Sequence, residues 1–293
     1  MKWTVGQIIQ WSTEYLVKKG IDTPRLDSEV LLAHVLNIDR TNLFLDPQRS
    51  LSSHQLQSFK KLIGRRSLRE PLSYITGFKE FWSLNFKVNR HVLIPRPETE
   101  ILVQKTLEIL KEHCSNHTGL FYVNDIGTGS GNIAVSLCKK RGNLRVVATD
   151  HTGEALSMAS ENTRLNNCEK QICFQKTDLF GEFKRTSDKN KFDLIVSNPP
   201  YIPSDEIETL APEIKDYEPR IALEGGPDGL NFYKKIITEV PNHLIKGGFI
   251  ILEMGYNQGK AISKIFSEQG FFSEIEISKD YSGKDRVISA RFL

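Results

Sequence analysis

The chain has 293 residues, 39% hydrophobic and 26% charged, the balance of a globular protein that buries a full core in one large domain or two ordinary ones. A formal net charge of +3 is too weak by itself to predict a nucleic-acid surface. No apolar run approaches membrane-spanning length, and the stretch after Met1-Lys2-Trp3-Thr4 has no signal-peptide core, so a cytoplasmic protein is expected. Cys114, Cys138, Cys168 and Cys173 show no C-x-x-C spacing and no accompanying His cluster. Free thiols are expected, with no metal site and no disulfide framework.

Residues 4 to about 70 read as helices. Val5, Ile8, Ile9, Tyr15 and Leu16 recur at helical spacing. Leu26, Val30, Leu31 and the run 33–36 do the same after Pro24, which suits a first helical turn. Ser52-Ser53-His54-Gln55 opens a third helix with Leu56, Phe59, Leu62 and Ile63 on one face. The excess of basic residues at Lys60, Lys61, Arg65, Arg66 and Arg69 reads as a solvated helix face. Residues 78–88 alternate enough to suggest a hairpin. Ile94-Pro95-Arg96-Pro97-Glu98-Thr99-Glu100 then makes a stiff linker that opens a helix through about Leu110. This divides the chain into a helical domain at 1–77, a hairpin and linker at 78–98, and a larger domain at 99–293.

From residue 120 the pattern becomes strand, helix, strand, helix. Strands are expected at 120–126, 144–149, 171–176, 192–197 and 249–254, and helices at 130–140, 153–165, 229–245 and 256–268. Such alternation implies βαβ units and a parallel sheet. The tail differs: 272–278 and 286–292 are separated by too few residues for a crossover helix, so they should pair antiparallel. The expected fold is α/β, a mostly parallel Rossmann-like sheet with a C-terminal antiparallel hairpin, preceded by a small all-α domain.

The most informative residues are Asn198-Pro199-Pro200-Tyr201, directly after the apolar strand at 192–197. Neither proline offers an N–H, so the sheet cannot continue through them. On the plain reading the pair only ends a strand. On the chemical reading it delivers Asn198 to the carboxyl end of a parallel sheet, where open α/β folds place their chemistry. There the Asn198 side-chain oxygen and the Pro199 carbonyl can each accept a hydrogen bond from an NH₂ group, and Tyr201 can stack on a planar substrate.

A second constellation lies upstream. The first parallel strand runs into Asp125-Ile126-Gly127-Thr128-Gly129-Ser130-Gly131, whose G-x-G-x-G spacing departs from the G-x-G-x-x-G of dinucleotide sites. Asp150 ends the second strand and can bind both hydroxyls of a ribose. Asp178 follows the third strand and can accept from an exocyclic adenine amine, with Leu179 and Phe180 beside the ring. No Walker lysine or cationic cluster is nearby. Gly127, Thr128, Gly129, Ser130, Gly131, Asp150, Asp178, Leu179 and Asn198 thus describe a site for a nucleoside without phosphate, which fits S-adenosyl-L-methionine.

With these residues in view, the chain resembles the class I S-adenosylmethionine-dependent methyltransferases. Residues 125–131 match their first motif, and Asn198 to Tyr201 match the motif of enzymes acting on planar exocyclic nitrogens. Four further segments resemble the peptide chain release factor glutamine methyltransferases (the HemK/PrmC family): Pro71-Leu72-Ser73-Tyr74-Ile75-Thr76-Gly77, residues 94–100, residues 217–230 and Asp285-Arg286-Val287. The resemblance covers essentially the whole chain. It implies methylation of the glutamine side-chain amide in the Gly-Gly-Gln motif of class I peptide chain release factors, a step in translation termination. Asn198, Pro199, Pro200 and Tyr201 would be the catalytic and substrate-binding residues, and the helical domain would recognise the release factor. Leu179 departs in detail, because some relatives carry Trp there and leucine offers less stacking area. Arg96 and Glu253 are candidates for supporting roles or for a structural salt bridge. A glutamine methyltransferase acting on a ribosomal protein would share this core. A DNA or RNA amino-methyltransferase would need a basic face or a target-recognition domain.

Overall fold

The computed structural model describes residues 3–112, 119–180 and 191–293, and Cys114 falls outside them. Two compact units divide the chain: Met1–Phe78 with Ala211–Tyr217, and Lys79–Leu210 with Glu218–Leu293.

The first unit holds α1 (Val5–Val17), α2 (Pro24–Leu36), α3 (Ser53–Ser67) and α4 (Leu72–Thr76). Capping boxes fix two of the starts. The Thr4 hydroxyl accepts from the Gln7 N–H while the Gln7 side chain returns to the Thr4 N–H, and Ser52 and Gln55 repeat the pattern. The second unit opens with a hairpin of β1 (Phe78–Phe81) and β2 (Leu84–Lys87), then α5 (Thr99–Glu112). The sheet and its helices follow as β3 (Phe121–Ile126), α6 (Asn132–Lys140), β4 (Leu144–Asp150), α7 (Gly153–Leu165), β5 (Ile172–Lys176) and β6 (Phe192–Ser197). The short α8 (Pro212–Lys215) belongs to the first unit, and after it the second continues with α9 (Asn231–His243), β7 (Leu244–Glu253), α10 (Gly259–Gln269), β8 (Phe272–Lys279) and β9 (Asp285–Phe292).

The seven-stranded sheet has the order β5-β4-β3-β6-β7-β9-β8. Strands β3 to β7 run parallel, and β9 pairs antiparallel with both β7 and β8. Both faces are covered, so the strands read as nearly continuous apolar runs. Leu194, Val196, Phe249 and Ile251 face a core shared with α5 and α6. Their neighbours Ile195, Ile250 and Leu252 face a second core under α9 and α10. Successive strands step away from β3 in one direction through β4 and β5, and in the other through β6 and β7. The order therefore reverses between β3 and β6, and a ligand crevice is expected outside their carboxyl ends.

Two expectations need correction. Strand β7 begins at Leu244 rather than 249, because Gly247 and Gly248 lie inside it. A Cβ on Gly248 would stand 2.7 Å from Asp193 O, so a glycine that looks like a breaker permits close approach of β6. In α2, Leu26 is 42% exposed while Asp27, Ser28 and Glu29 are buried. The acids are inward because cations meet them there: Arg66 Nε bonds Asp27 Oδ2 at 2.6 Å, and Arg40 Nη1 bonds Glu29 Oε2 at 2.9 Å. Arg66 also reaches Glu213 Oε1 at 3.1 Å, which ties the 211–217 segment into the helical unit. The side chain of Arg66 is only 7% exposed, so the basic run on α3 is in part an internal ion-pair network.

Candidate active site

The glycine loop after β3 and the Asn-Pro-Pro turn after β6 line one cleft at the strand-order reversal. Its walls include Gly127, Thr128, Gly129, Ser130, Asp150, Asp178, Leu179, Asn198, Pro199 and Pro200. Sequence reasoning named all ten. Gly131 and Tyr201 are not among the lining residues.

Each glycine has its own reason. Gly127 and Gly129 have φ of +69° and +54° and little or nothing within reach of a Cβ, so the backbone there is left-handed and open. Gly131, at φ +79°, begins α6. A Cβ on it would lie 3.1 Å from the Ala159 Cβ of α7, so it serves helix packing. Behind the loop, buried Asn162 of α7 donates through Nδ2 to Ser130 O at 2.8 Å and to Lys87 O at 2.9 Å. Its Oδ1 accepts from the Lys87 N–H at 2.6 Å. A lone Asn on a helix gave no signal of this in the sequence.

Asp150 holds the loop from the front. Its Oδ2 accepts from the Gly129 N–H at 3.0 Å, and its Oδ1 accepts from the Thr152 N–H and hydroxyl at 3.0 and 3.1 Å. Asp178 is more open, with a side chain 69% exposed and His151 Nδ1 3.9 Å from its Oδ1. Leu179 is buried, and its carbonyl accepts from the Thr149 hydroxyl at 2.7 Å. Asp125 is fully buried below the loop with Thr128 Oγ1 bonded to its Oδ2 at 2.7 Å. Burial pushes its carboxyl up to about 7, against the pull of the Thr128 hydroxyl and the Ala134 amide.

The Asn-Pro-Pro turn is clamped by the 224–230 segment. Ile202 N–H donates to Leu223 O at 2.9 Å and Gly225 N–H to Ile202 O at 2.8 Å. Gln258 Nε2 donates to Tyr201 O at 3.0 Å. A Cβ on Gly229 would meet Tyr201 O at 2.3 Å, so the run Gly225-Gly226-Pro227-Asp228-Gly229 is what lets a second backbone lie against the turn. Tyr201 packs on the core under α9, and burial pushes its phenol up to about 12. The expected stacking face is therefore a core contact, and the flat walls of the cleft come from Pro199, Pro200 and Phe232.

Asn198 Nδ2 donates to Thr99 Oγ1 at 3.2 Å. This leaves Oδ1, as acceptor, and the second Nδ2–H for other partners. Arg96 also lines the cleft and pairs with buried Glu218, which accepts in addition from the Ile94 N–H at 3.1 Å. The prolines at 95 and 97 are thereby anchored as one wall. Arg96 is the single Lys or Arg among the lining residues. The donor set fits S-adenosylmethionine: acceptor carboxylates suit ribose hydroxyls and an adenine amine, and no cationic cradle awaits a phosphate.

The family described as the PrmC N-terminal domain matches residues 7–77, and that described as the methyltransferase small domain matches residues 102–214. A release factor glutamine methyltransferase of Geobacter sulfurreducens is 38% identical over 290 residues, covering 99% of this chain and 97% of that protein. One from Thermodesulfovibrio yellowstonii is 42% identical over 262 residues, covering 89% and 90%. Among solved structures, the N-terminal domain of human METTL16 in complex with SAH aligns over 96% of this chain and 94% of that one, with TM-score 0.54 and 17% identity. That last likeness bears on the fold alone. The two full-length relatives settle the family: the chain belongs to the release factor glutamine methyltransferases.

Proposed function

We propose that this enzyme methylates the side-chain amide nitrogen of the glutamine in the Gly-Gly-Gln motif of class I peptide chain release factors, in the cytoplasm, with S-adenosyl-L-methionine as methyl donor. The observation that carries this reading is the Asn198 carboxamide, which shares one cleft with Gly127 to Ser130 and Asp150 while its NH₂ is engaged by Thr99. When bound, the cofactor supplies an electrophilic methyl group on a sulfonium.

The protein's task follows from the nucleophile. An amide nitrogen has a delocalised lone pair and no proton that leaves easily at neutral pH. Asn198 Oδ1 and the Pro199 carbonyl both accept from the substrate NH₂, which turns the lone pair toward the methyl group. The same two acceptors stabilise positive charge as it develops on nitrogen. Pro199, Pro200 and Phe232 exclude water around it. Asp150 takes the ribose hydroxyls, and Asp178 with Leu179 takes the adenine edge. Tyr201 secures the turn through its carbonyl. The helical domain at residues 1–77 recognises the protein substrate, because every cofactor-binding residue lies beyond residue 120. No direct nucleic-acid binding is part of this reading.

The test is incubation with methyl-labelled cofactor and a purified class I release factor, followed by peptide mapping. Label on the Gly-Gly-Gln glutamine supports the proposal. Label that goes instead to a ribosomal protein or to duplex DNA offered in parallel overturns it.

A further inference from the structure

Gly131, which begins α6, sits at φ +79°, and a Cβ on it would lie 3.1 Å from the Ala159 Cβ of α7. Close packing of α6 on α7 therefore favours a glycine there. Glycine takes φ of either sign about equally, so the sterics of the loop itself do not fix the Ser130–Gly131 peptide plane. One bond within the loop bears on that plane, from the Gly131 N–H to Thr128 O at 2.8 Å. At its other end, Ser130 O accepts from Asn162 Nδ2 at 2.8 Å. Asn162 stands three residues after Ala159 and so lies on the same side of α7. The helix that favours the glycine also supplies the group that compensates for it.

We infer that Asn162 is a positioning residue for cofactor binding: it holds the Ser130 carbonyl on the α7 side of the glycine loop and so keeps the loop in its binding shape. The inference rests on the reading of residues 127–131 with Asp150 as the cofactor site.

A carboxamide has one acceptor oxygen and two N–H donors, and Asn162 uses all three. Its Oδ1 accepts from the Lys87 N–H at 2.6 Å, and its Nδ2 donates to Lys87 O at 2.9 Å and to Ser130 O at 2.8 Å. In the opposite flip the oxygen would face two carbonyls and the NH₂ would face an N–H, so the surroundings admit one orientation. Lys87, the last residue of β2, thus holds both ends of the carboxamide and prevents it from turning. Asn162 is fully buried and is not a lining residue of the cleft, whereas Ser130 is. The Ser130 oxygen therefore faces away from the cleft. A rotated plane would swing it toward the cleft and break the Gly131 N–H bond to Thr128 O. The Gly129 N–H, a few atoms earlier in the loop, is the partner of Asp150 Oδ2 at 3.0 Å, so the disturbance lies next to the carboxylate assigned to the ribose.

A plain tie between α7 and the hairpin is the simpler role, but the next turn of the helix already supplies one. Asn166, also buried, donates through Nδ2 to Asn85 O of β2 at 3.1 Å and to Asn162 O at 3.0 Å. Its side-chain bonds go to the hairpin and to its own helix. Of the two, Asn162 alone adds the loop.

The experiment compares Asn162→Leu, Asn166→Leu and Asp150→Ala in the full chain. The readouts are calorimetric affinity for S-adenosyl-L-methionine at a temperature where each variant is folded, the urea denaturation midpoint, and single-turnover methylation of a release factor across cofactor concentration. Both leucine variants lose a hydrogen-bonded carboxamide from the same helix, and both should lower the midpoint. Asn162→Leu should in addition weaken the cofactor roughly tenfold, because only the molecules whose loop is in shape can bind. Asn166→Leu should stay within about twofold of wild-type affinity. Saturating cofactor selects the competent loop, so Asn162→Leu should need more cofactor for half-saturation and reach a maximal rate near wild type. Asn162→Ala, which leaves a hole and adds no bulk, stands in if Asn162→Leu does not fold.

Equal affinity losses in Asn162→Leu and Asn166→Leu would assign the effect to general loosening of α7 and overturn the inference. Wild-type affinity in Asn162→Leu beside a weakened Asp150→Ala would overturn it as well, whether or not the maximal rate falls. Wild-type affinity in Asp150→Ala would instead overturn the reading of the cofactor site on which the inference rests.

Discussion

Gly225 and Tyr201 approach so closely that a Cβ on Gly225 would stand 2.8 Å from the Tyr201 Cα. The same Cβ would stand 2.8 Å from Pro200 O, so the conflict is with backbone that no rotamer change can move. Gly225→Ala should displace the Asn-Pro-Pro turn. Overpacking of this kind costs about 1–3 kcal/mol. The expected result is a lower denaturation midpoint and single-turnover transfer reduced about tenfold or more, because Asn198 shifts with the turn. Cofactor affinity, which we assign to Asp150 and the glycine loop, should change little. A fully active Gly225→Ala variant would show that the turn tolerates displacement.

Asp150→Ala should weaken cofactor binding. Charge-assisted hydrogen bonds contribute roughly 1.5–3 kcal/mol each, so the loss of ribose contacts alone predicts at least a tenfold rise in the dissociation constant. The variant also frees the Gly129 N–H, which Asp150 Oδ2 holds at 3.0 Å. Asp150→Asn keeps an acceptor for that N–H and should fall between wild type and Asp150→Ala. Calorimetric affinities equal across the three proteins would remove Asp150 from the ribose site.

Arg66 is the buried cation of the helical unit, bonded to Asp27 at 2.6 Å and Glu213 at 3.1 Å. Arg66→Met leaves Asp27 buried without its counter-ion, with only the Thr23 hydroxyl bonded to it at 2.8 Å, and loss of one member of a buried ion pair typically costs about 3–5 kcal/mol. Adding Asp27→Leu should recover much of that loss, since the buried charge is then gone from both sides. Urea denaturation of the single and double variants decides it, and equal destabilisation of the two would exclude a charge-pair origin.

Much of this fold was legible because both sheet faces are buried. Largely apolar runs at 121–126 and 192–197 announce parallel strands, and the two prolines after Asn198 announce where the sheet must stop. The cleft was legible because a glycine loop and acids at successive strand ends, each common in turns by itself, occur together and in order. Other features were hidden for physical reasons. Gly247 and Gly248 look like breakers, but both lie inside β7, and Gly248 lets it lie close to β6. Asp27 and Glu29 look like surface residues until their arginine partners, one of them 39 positions away, are placed beside them. The sequence reading makes the Tyr201 ring a stacking face for a planar substrate, and only packing places it on the core under α9. Thr99 and Asn162 act through hydrogen bonds to residues far away in sequence, which no local pattern encodes.

Stability should depend on pH through Asp125. Burial raises its carboxyl to about 7 in the folded protein, against roughly 3.9 in an unfolded chain. The fold therefore favours the protonated form. That contribution is complete below the unfolded value and is lost as pH rises through about 7. Glu253, also raised to about 7 by burial, acts with the same sign. The denaturation midpoint should be lower at pH 8 than at pH 5, and Asp125→Asn, neutral at both, should shrink the difference. An unchanged difference in that variant would assign the pH dependence to other groups.

Asn198→Ala tests the centre of the mechanism. Asn198 closes β6, its NH₂ is held by Thr99 at 3.2 Å, and its oxygen is the atom assigned to the reacting amide. Removal of one prealigned polar group of this kind costs about 10²–10³ in rate, and misplacement of the nucleophile adds to it. Cofactor affinity should stay near wild type, because the proposed ribose and adenine contacts lie on Asp150 and Asp178. Asn198→Asp keeps an oxygen for the substrate but loses the NH₂ that Thr99 receives. The second oxygen then replaces the N–H donor at Thr99 and brings a charge, which changes how the side chain is held, and a large loss is expected there as well. Single-turnover methylation of a release factor beside cofactor titration separates the two quantities. A near wild-type single-turnover rate in Asn198→Ala would leave Asn198-Pro199-Pro200-Tyr201 as a strand terminator and move the catalytic acceptor to the Pro199 carbonyl.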